Sequence, residues 1–218
     1  MSSLKEKYGD KFQDYYTGVR KDILPVIPKH SARVLEIGCG QGNTLAYLKD
    51  NGYCDWACGV DLFPDAIEVA KTRLDEVYQG NIEEMNLPIK VGSIDMILCL
   101  DVLEHLIDPQ KAVAYLHTLL APEGIIVASI PNVRHFSASL PLLLQNKWEY
   151  KERGILDNTH IRFFVRDSAV ALMQSSGLTL DCVTTNMGSK SSALNRSTLR
   201  IFESFLSMQY LIRVSRQH

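Results

Sequence analysis

The sequence contains no run of lysine or arginine, and its formal net charge is only −2. A chain so close to neutral offers none of the electrostatic footprint by which proteins hold nucleic acid, so no nucleic-acid partner is expected. Long apolar runs are missing as well. Stretches such as "GIIVASI" fall far short of the roughly 20 residues that a membrane-spanning helix needs, which argues against stable membrane insertion. The opening "MSSLKEKYGDKFQDYY" is polar and charged and lacks the apolar centre of a secretory signal, so a cytoplasmic location is expected. There are five cysteines, an odd number, and Cys54 and Cys58 have neither zinc-knuckle spacing nor a second Cys/His pair after them. Buried, reduced thiols are the expected reading. H-E-x-x-H is absent, and no tight acid cluster appears beyond Asp101 and Glu104, so no metal is expected. No internal repeat or low-complexity segment is visible.

What is present is a chain of 218 residues, 46% hydrophobic and 22% charged, which suits one globular domain with a substantial core. Five apolar runs end near glycine or acid: "ARVLEIGCG", "WACGVDL", "EVYQGN", "SIDMILCLDV" and "GIIVASIPN". Helical patterns alternate with them, over "TLAYLKDNG", "FPDAIEVAKTRLDE" and "DPQKAVAYLHTLLAPEG", the last two opened by prolines in the first turn. Strands that are apolar on both faces and alternate with helices predict a mostly parallel sheet covered on both sides. After Asn132 the rhythm breaks for an insertion over 133–158, helical around "SASLPLLLQNKW". It resumes with a strand over "THIRFF", a helix over "RDSAVALMQSSG", a strand over "LTLDCVTTN", a polar stretch "MGSKSSALNRST", a last helix, and a terminal strand "MQYLIRVS". The first thirty residues, with Tyr8, Phe12, Tyr15 and Tyr16, predict one or two amphipathic helices. If "THIRFF" is a strand, Thr159, Ile161 and Phe163 face one way and His160, Arg162 and Phe164 the other, with Ile161 and Phe163 anchoring it to the core.

In open parallel sheets the ligand lies beyond the carboxyl ends of the strands. The first such end reads "EIGCGQGN", with glycines at 38, 40 and 42 that permit a sharp turn and a close approach to a ligand. The dinucleotide fingerprint G-x-G-x-x-G needs a third glycine at position 43, where Asn43 stands, and this tells against a nicotinamide oxidoreductase. Asp61, which closes the second strand, is placed to accept ribose hydroxyls.

With these residues in view, the chain resembles the class I S-adenosylmethionine-dependent methyltransferases. "VLEIGCGQGN" is similar to their first motif, "GVDL" to their ribose-binding acid, "GNIEE" to the loop after the third strand, and "DMILCLDVLEHLIDP" and "LAPEGIIVASIPN" to the fourth and fifth strands. The resemblance implies an α/β, Rossmann-like, doubly wound, mostly parallel seven-stranded sheet with N-terminal helices and an insertion after the fifth strand. In this single methyltransferase domain, 1–30 would form a helical cap, 31–132 the cofactor-binding core, 133–158 a substrate-covering insertion, and 159–218 the C-terminal half of the sheet. It also implies S-adenosyl-L-methionine as cofactor. Gly38, Cys39 and Gly40 would line its methionine end. Glu36 would orient that loop and reach the amino group through water. Asp61 would hold the ribose and Leu62 pack on the adenine. Asn81 would meet the adenine amine, with Ile82 against the ring. Leu100 would present its carbonyl, and Asp101 would follow it. Many relatives carry Asp where Asn81 stands, and an amide oxygen still accepts from an amine.

A hydroxyl is a poor nucleophile at neutral pH, so a base beside it helps, and histidine suits that task. His105, His135 and His160 all follow strand ends or the insertion and are the three candidates. Outside the core, "IPNVRH", Trp148, Tyr150 and "GILDNTHIRFF" resemble a subgroup of small methyltransferases associated with cell-surface polysaccharide and glycan biosynthesis. That subgroup implies O-methylation of a sugar hydroxyl in a glycan or nucleotide sugar. Arg20 and Arg162 would meet an anionic group, and Tyr15 and Tyr16, with Trp148 and Tyr150, a sugar face or ring. Two other readings stand beside it: methylation of a small phenolic, quinone-precursor or carboxylic substrate, and a non-catalytic cofactor-binding partner subunit. The expected partner is a small-molecule or glycan substrate, and a homodimer is left open.

Overall fold

The computed structural model describes residues 18–187 and 189–216. The apolar runs become strands because their residues serve both faces of a sheet. In β1 (Ser31–Ile37) and β4 (Ile94–Leu100), Leu35, Ile37, Ile97 and Cys99 enter one buried cluster, while Val34, Met96 and Leu98 enter the other. Both faces are therefore dry, as a parallel sheet between helical layers requires. With β2 (Cys54–Asp61), β3 (Glu76–Gln79), β5 (Leu120–Pro131), β6 (Thr179–Asn186) and β7 (Gln209–Ser215) they form a seven-stranded sheet of order β3-β2-β1-β4-β5-β7-β6. β1 to β5 pair in parallel, and β7 runs antiparallel to both β5 and β6. This is the expected Rossmann-like, doubly wound architecture.

The helices follow local chemistry. α1 (Asn43–Asp50) starts at Gly42, whose φ of 75° is left-handed, and buries Leu45 and Leu48. Each buried leucine contributes roughly 1.5–3 kcal/mol relative to exposure. α2 spans Pro64–Ala70, and α3 (Pro109–Leu119) is capped by Asp108, which accepts from the Lys111 amide at 3.0 Å. α4 (Phe136–Gln145) lies in the insertion, α5 spans Arg166–Gln174, α6 Ser189–Ser197 and α7 Glu203–Leu206. No helix among the described residues is long and apolar enough to cross a membrane. The five cysteines are free, four of them buried.

Three expectations need correction. Residues 159–164 form no strand; Phe164 makes only an isolated bridge with Asn132. Their backbone is satisfied elsewhere, since the Ile161 and Arg162 amides both donate to the Glu104 carbonyl at 3.0 Å, and Glu104 sits in a short 3-10 turn. The two-residue alternation fails with it: Thr159 and His160 are both buried, and Ile161 is 49% exposed, so it anchors nothing. The helix expected over 63–76 ends at Ala70, and the polar stretch after β6 contains α6 rather than a connection alone. Of the N-terminal helices, residues 1–17 lie outside the described residues, and 18–30 hold a 3-10 turn at Lys21–Ile23.

The strand order reverses between β1 and β4, one leading outward to β2 and β3 and the other to β5. Such a switch point leaves a crevice beyond the carboxyl ends of the strands. A cavity of about 530 Å³ opens there, lined from β1, β2, β4, the turn after β4 and the segment near 155–160.

Candidate active site

One wall of the cavity is the turn from β1 into α1. Gly38 and Gly40 both adopt positive φ, 72° and 52°. A Cβ at Gly38 would stand 2.5 Å from Val102 Cγ2, so only glycine fits the turn against its neighbour. The Gly38 and Cys39 amides donate to the Val60 carbonyl at 2.8 and 3.1 Å, and the Gly40 amide donates to Asp61 Oδ2 at 2.7 Å. Asp61 also accepts from the Phe63 amide at 3.0 Å, so this buried acid ties two loops together. Burial raises its pKa, against the hydrogen bonds from Phe63, Gly40 and Leu62.

Glu36, at the end of β1, is 3% exposed, and its Oε2 has no hydrogen-bond partner among the described residues. Burial pushes its carboxyl up to about 8; the charge of Arg20 opposes the shift and that of Asp61 adds to it. A buried polar atom without a partner is a rare and costly feature, and in a cavity wall it marks a place for a ligand. In the same cavity, Leu62, Ile82 and Leu106 offer apolar surface. Asn81 also lines it, with its Oδ1 accepting from the Glu83 amide at 3.0 Å.

The chain leaves β4 through Asp101, which has φ 57°. Its carboxylate holds that turn by accepting from Arg20 Nη1, from Ser129 Oγ at 3.0 Å and from Gln209 Nε2 at 2.7 Å. Arg20 gives its remaining fork to Asp22, at 2.9 Å for both bonds. Burial disfavours the Arg20 charge, yet Asp22 and Asp101 outweigh it and its pKa is raised. The guanidinium is thus engaged by two carboxylates of this chain.

Beyond Asp101 the 3-10 turn Leu103–His105 places Glu104 and His105 on the cavity, where His160 meets them from the far side. Glu104 is 1% exposed, and neither carboxylate oxygen has a hydrogen-bond partner among the described residues. Burial, and then the nearby Asp101, raises its pKa well above the usual carboxylate range. The His105 and His160 rings meet edge to face with centroids 4.7 Å apart, and His160 Nε2 lies 3.8 Å from Glu104 Oε1. His105 Nδ1 is 3.1 Å from the Thr159 carbonyl and His160 Nδ1 is 3.0 Å from the Ile155 carbonyl. A carbonyl can only accept, so both rings carry their proton on Nδ1 when neutral, and the lone pair sits on Nε2.

Of the residues singled out from sequence, Glu36, Gly38, Cys39, Gly40, Asp61, Leu62, Asn81, Ile82, Leu100, Asp101, His105, His160 and Arg20 all line this one cavity. His135 does not. It caps α4, its Nδ1 accepting from the Ser137 amide at 3.3 Å, and burial lowers its pKa. Arg162 turns outward and donates to the Ile107 carbonyl. Tyr15 and Tyr16 lie outside the described residues. Trp148 and Tyr150 pack around Phe163, with ring centroids 5.1 and 6.2 Å away. Glu104 was not among the residues singled out for the site. The available signal was an acid placed directly beside a histidine just after an apolar strand.

A family model described as "Methyltransferase domain" matches residues 10–183. A Coxiella burnetii protein named ubiquinone biosynthesis O-methyltransferase is 29% identical over 191 residues, which cover 78% of this chain and 79% of that protein. A 37.1 kDa transposon protein of Streptomyces fradiae is 34% identical over 123 residues, which cover 54% of this chain and 34% of the relative, so the match spans about a third of that protein's length. Among solved structures, a SAM-dependent methyltransferase from Archaeoglobus fulgidus superposes with a TM-score of 0.71 at 16% identity, covering 98% of this chain and 100% of that one. The chain belongs to the methyltransferase-domain family, and S-adenosylmethionine is its cofactor. The cavity fits that cofactor: a glycine turn too tight for any Cβ, an orphaned Glu36 oxygen suited to an ammonium, and apolar surface at Leu62 and Ile82 suited to a base.

Proposed function

We propose that this S-adenosylmethionine-dependent methyltransferase transfers the methyl group to a hydroxyl oxygen of a small molecule, in the first instance a sugar hydroxyl of a glycan or nucleotide sugar. The observation that carries the reading is the cluster of buried Glu104 and His160 with half-buried His105, which shares one cavity with the Gly38–Gly40 turn and Asp61. When bound, the cofactor supplies an activated methyl group and a neutral thioether leaving group.

The chain's own residues do the rest. The Gly38 and Gly40 backbone lies against the methionine portion, and Glu36 offers it a carboxylate. A carboxylate has about four lone-pair sites, so Asp61 keeps capacity for ribose hydroxyls beside its bonds from Gly40 and Phe63. Leu62 and Ile82 hold the adenine, and Asn81 meets its edge. At the other end, an Nε2 lone pair on His105 or His160 accepts the acceptor's proton, while the enclosing walls exclude water and fix the line of attack. A carboxylate acceptor needs no such cluster, because it has already lost its proton at neutral pH.

A second reading, a phenolic hydroxyl on a quinone precursor, is favoured by the relatives named ubiquinone biosynthesis O-methyltransferases. Transfer of isotopic methyl from labelled cofactor to a panel of nucleotide sugars, oligosaccharides and catechols tests both. A labelled methyl ether on the sugars is the expected outcome, and labelling of catechols alone selects the second reading. If protein that binds the demethylated cofactor labels only amines or carboxylates, the hydroxyl assignment is wrong.

A further inference from the structure

The peptide group that joins Ile107 to Asp108 is gripped at both ends by side chains from distant parts of the chain. Its N–H donates to Glu83 Oε1 at 2.7 Å, and its carbonyl accepts from Arg162 Nη2. The Ile107 amide, one step earlier, donates to the second oxygen, Glu83 Oε2, at 3.2 Å. We infer that Glu83 and Arg162 are positioning residues that couple occupancy of the cofactor site to the register of His105 and His160. The inference rests on the assignment above of Asn81 and Ile82 to the adenine.

Glu83 belongs to the loop after β3. Its own amide donates to Asn81 Oδ1 at 3.0 Å, and the Glu84 and Met85 amides donate to the Asn81 carbonyl at 3.0 Å. The Glu83 backbone is therefore pinned to the residue that meets the adenine edge, while its carboxylate reaches across to the chain that leaves β4. Arg162 belongs to the segment that bears His160. Its amide donates to the Glu104 carbonyl at 3.0 Å and its side chain to the Ile107 carbonyl, so one residue straps both ends of the turn that carries His105. The Ile161 amide doubles the first of these bonds.

The Ile107 side chain is 66% exposed, so packing holds this link weakly and the hydrogen bonds decide its position. Their charges are well arranged. A carboxylate faces the N–H end of the peptide dipole and a guanidinium faces the C=O end, and such charge-assisted bonds polarise one another through the peptide between them. An adenine that orders the Asn81–Ile82 loop thereby orders Glu83, then the 107–108 peptide, then Arg162. Coupling of this kind is reciprocal, so ordering of the histidine segment also favours cofactor binding.

Hydrogen exchange of the full chain, with and without saturating demethylated cofactor, tests the coupling without any acceptor. In the parent protein the cofactor is expected to slow exchange over 80–83 and, by about fivefold, at the Ile161 and Arg162 amides. Glu83→Gln keeps the side-chain shape but replaces one accepting oxygen with a donor. It is expected to bind the demethylated cofactor within about threefold of the parent by calorimetry, yet to cut the slowing at 161 and 162 below about twofold. Arg162→Met is expected to do the same at the Ile161 amide, and Arg162→Lys, which keeps a donor for the Ile107 carbonyl, to restore most of the effect. Slowing at 161 and 162 that persists undiminished in Glu83→Gln and Arg162→Met overturns the inference. So does a merely structural result, in which exchange is faster in the ligand-free variants but the ratio with and without cofactor is unchanged. No slowing over 80–83 in the parent refutes the adenine assignment and the inference with it, whereas slowing there with none at 161 and 162 refutes the coupling alone.

Discussion

Between pH 6 and pH 7 the affinity for the demethylated cofactor is expected to rise about ninefold, through Glu36. Its carboxyl, pushed up to about 8 by burial, has an unpartnered oxygen in the cavity wall. A group with that pKa is about 1% ionised at pH 6 and about 9% at pH 7. The ammonium of the ligand, with an α-amino pKa near 7.7–8.0, stays charged across the same interval, so its own titration contributes little. If the ammonium selects the carboxylate form, apparent affinity scales with the ionised fraction, which gives the ninefold change. Asp61, also raised by burial, faces the same space, and Glu36→Gln isolates the share that belongs to Glu36. The variant is expected to lose the slope.

Stability carries the opposite sign. Glu36 in the folded chain holds its proton to a higher pH than in the unfolded chain, so the native state binds more protons between about pH 4.5 and pH 8. Stability present at low pH is therefore lost as pH rises through about 8, by at most about 5 kcal/mol at 1.36 kcal/mol per pH unit. Ligand-free Glu36→Gln is expected to melt above the parent protein at pH 8 and to match it at pH 4.5. Calorimetry from pH 6 to pH 7 decides the first claim and thermal unfolding the second. A flat affinity profile in the parent protein, or the same slope in Glu36→Gln, refutes the reasoning.

Gly38→Ala is expected to cost about 1–3 kcal/mol in thermal unfolding and to weaken cofactor binding, because the new Cβ meets Val102 Cγ2 at 2.5 Å on a backbone at φ 72°. Adding Val102→Ala relieves the contact but not the backbone strain, so it restores only part of the loss. Asn132→Ala is expected to lower stability by about 2–4 kcal/mol in denaturant unfolding, since this buried amide donates to the Ser204 and Ser207 carbonyls at 2.7 and 2.8 Å and accepts from the Arg134 amide at 3.0 Å. Arg20→Met leaves Asp22 and Asp101 without their shared cation and is expected to cost about 1–3 kcal/mol at pH 7. Asp22, held below the usual carboxylate range, contributes stability that is lost as pH falls, so the gap between variant and parent narrows toward acid pH in paired melts.

The glycine-turn wall of the cavity was readable in the sequence because its constraints are local. A turn that demands positive φ at positions 38, 40 and 42 selects glycine at each, and the carboxyl edge of the sheet carries the acids Glu36, next to last in β1, and Asp61, last in β2. The core strands were readable because two dry faces demand continuous apolar runs. Residues 159–164 were misread for the converse reason. Their composition suits a strand, but Thr159 bonds Asp157 through both its amide and its hydroxyl, the His160 amide donates to the Asp157 carbonyl, and the Ile161 and Arg162 amides turn to the Glu104 carbonyl. Side-chain-to-backbone bonds of this kind compete with a ladder, and the alternation of faces has no meaning once the ladder is gone. Likewise, Arg162 carried the right chemistry for an anion, yet its direction depends on the Ile107 carbonyl, which no pattern near it encodes.

Glu104 shows why the opposite wall of the cavity resists sequence reading. Its partner His160 comes from another part of the chain, and the register between them is set by two backbone hydrogen bonds that leave no residue pattern. The turn that aims Glu104 inward depends on Asp101 at φ 57°, and Asp101 is pinned by Arg20 from before β1 and by Gln209 from β7. A standard exit from β4 could carry the chain into a helix, with Glu104 free to point anywhere. Instead, groups from both ends of the described chain converge on one carboxylate, and that carboxylate fixes the step between the end of β4 and the Glu104–His105–His160 cluster. Disturbing Arg20 or Gln209 should therefore be felt at the Glu104–His105–His160 cluster before it is felt at the glycine turn, because the Gly38–Gly40 backbone is held independently by Val60 and Asp61.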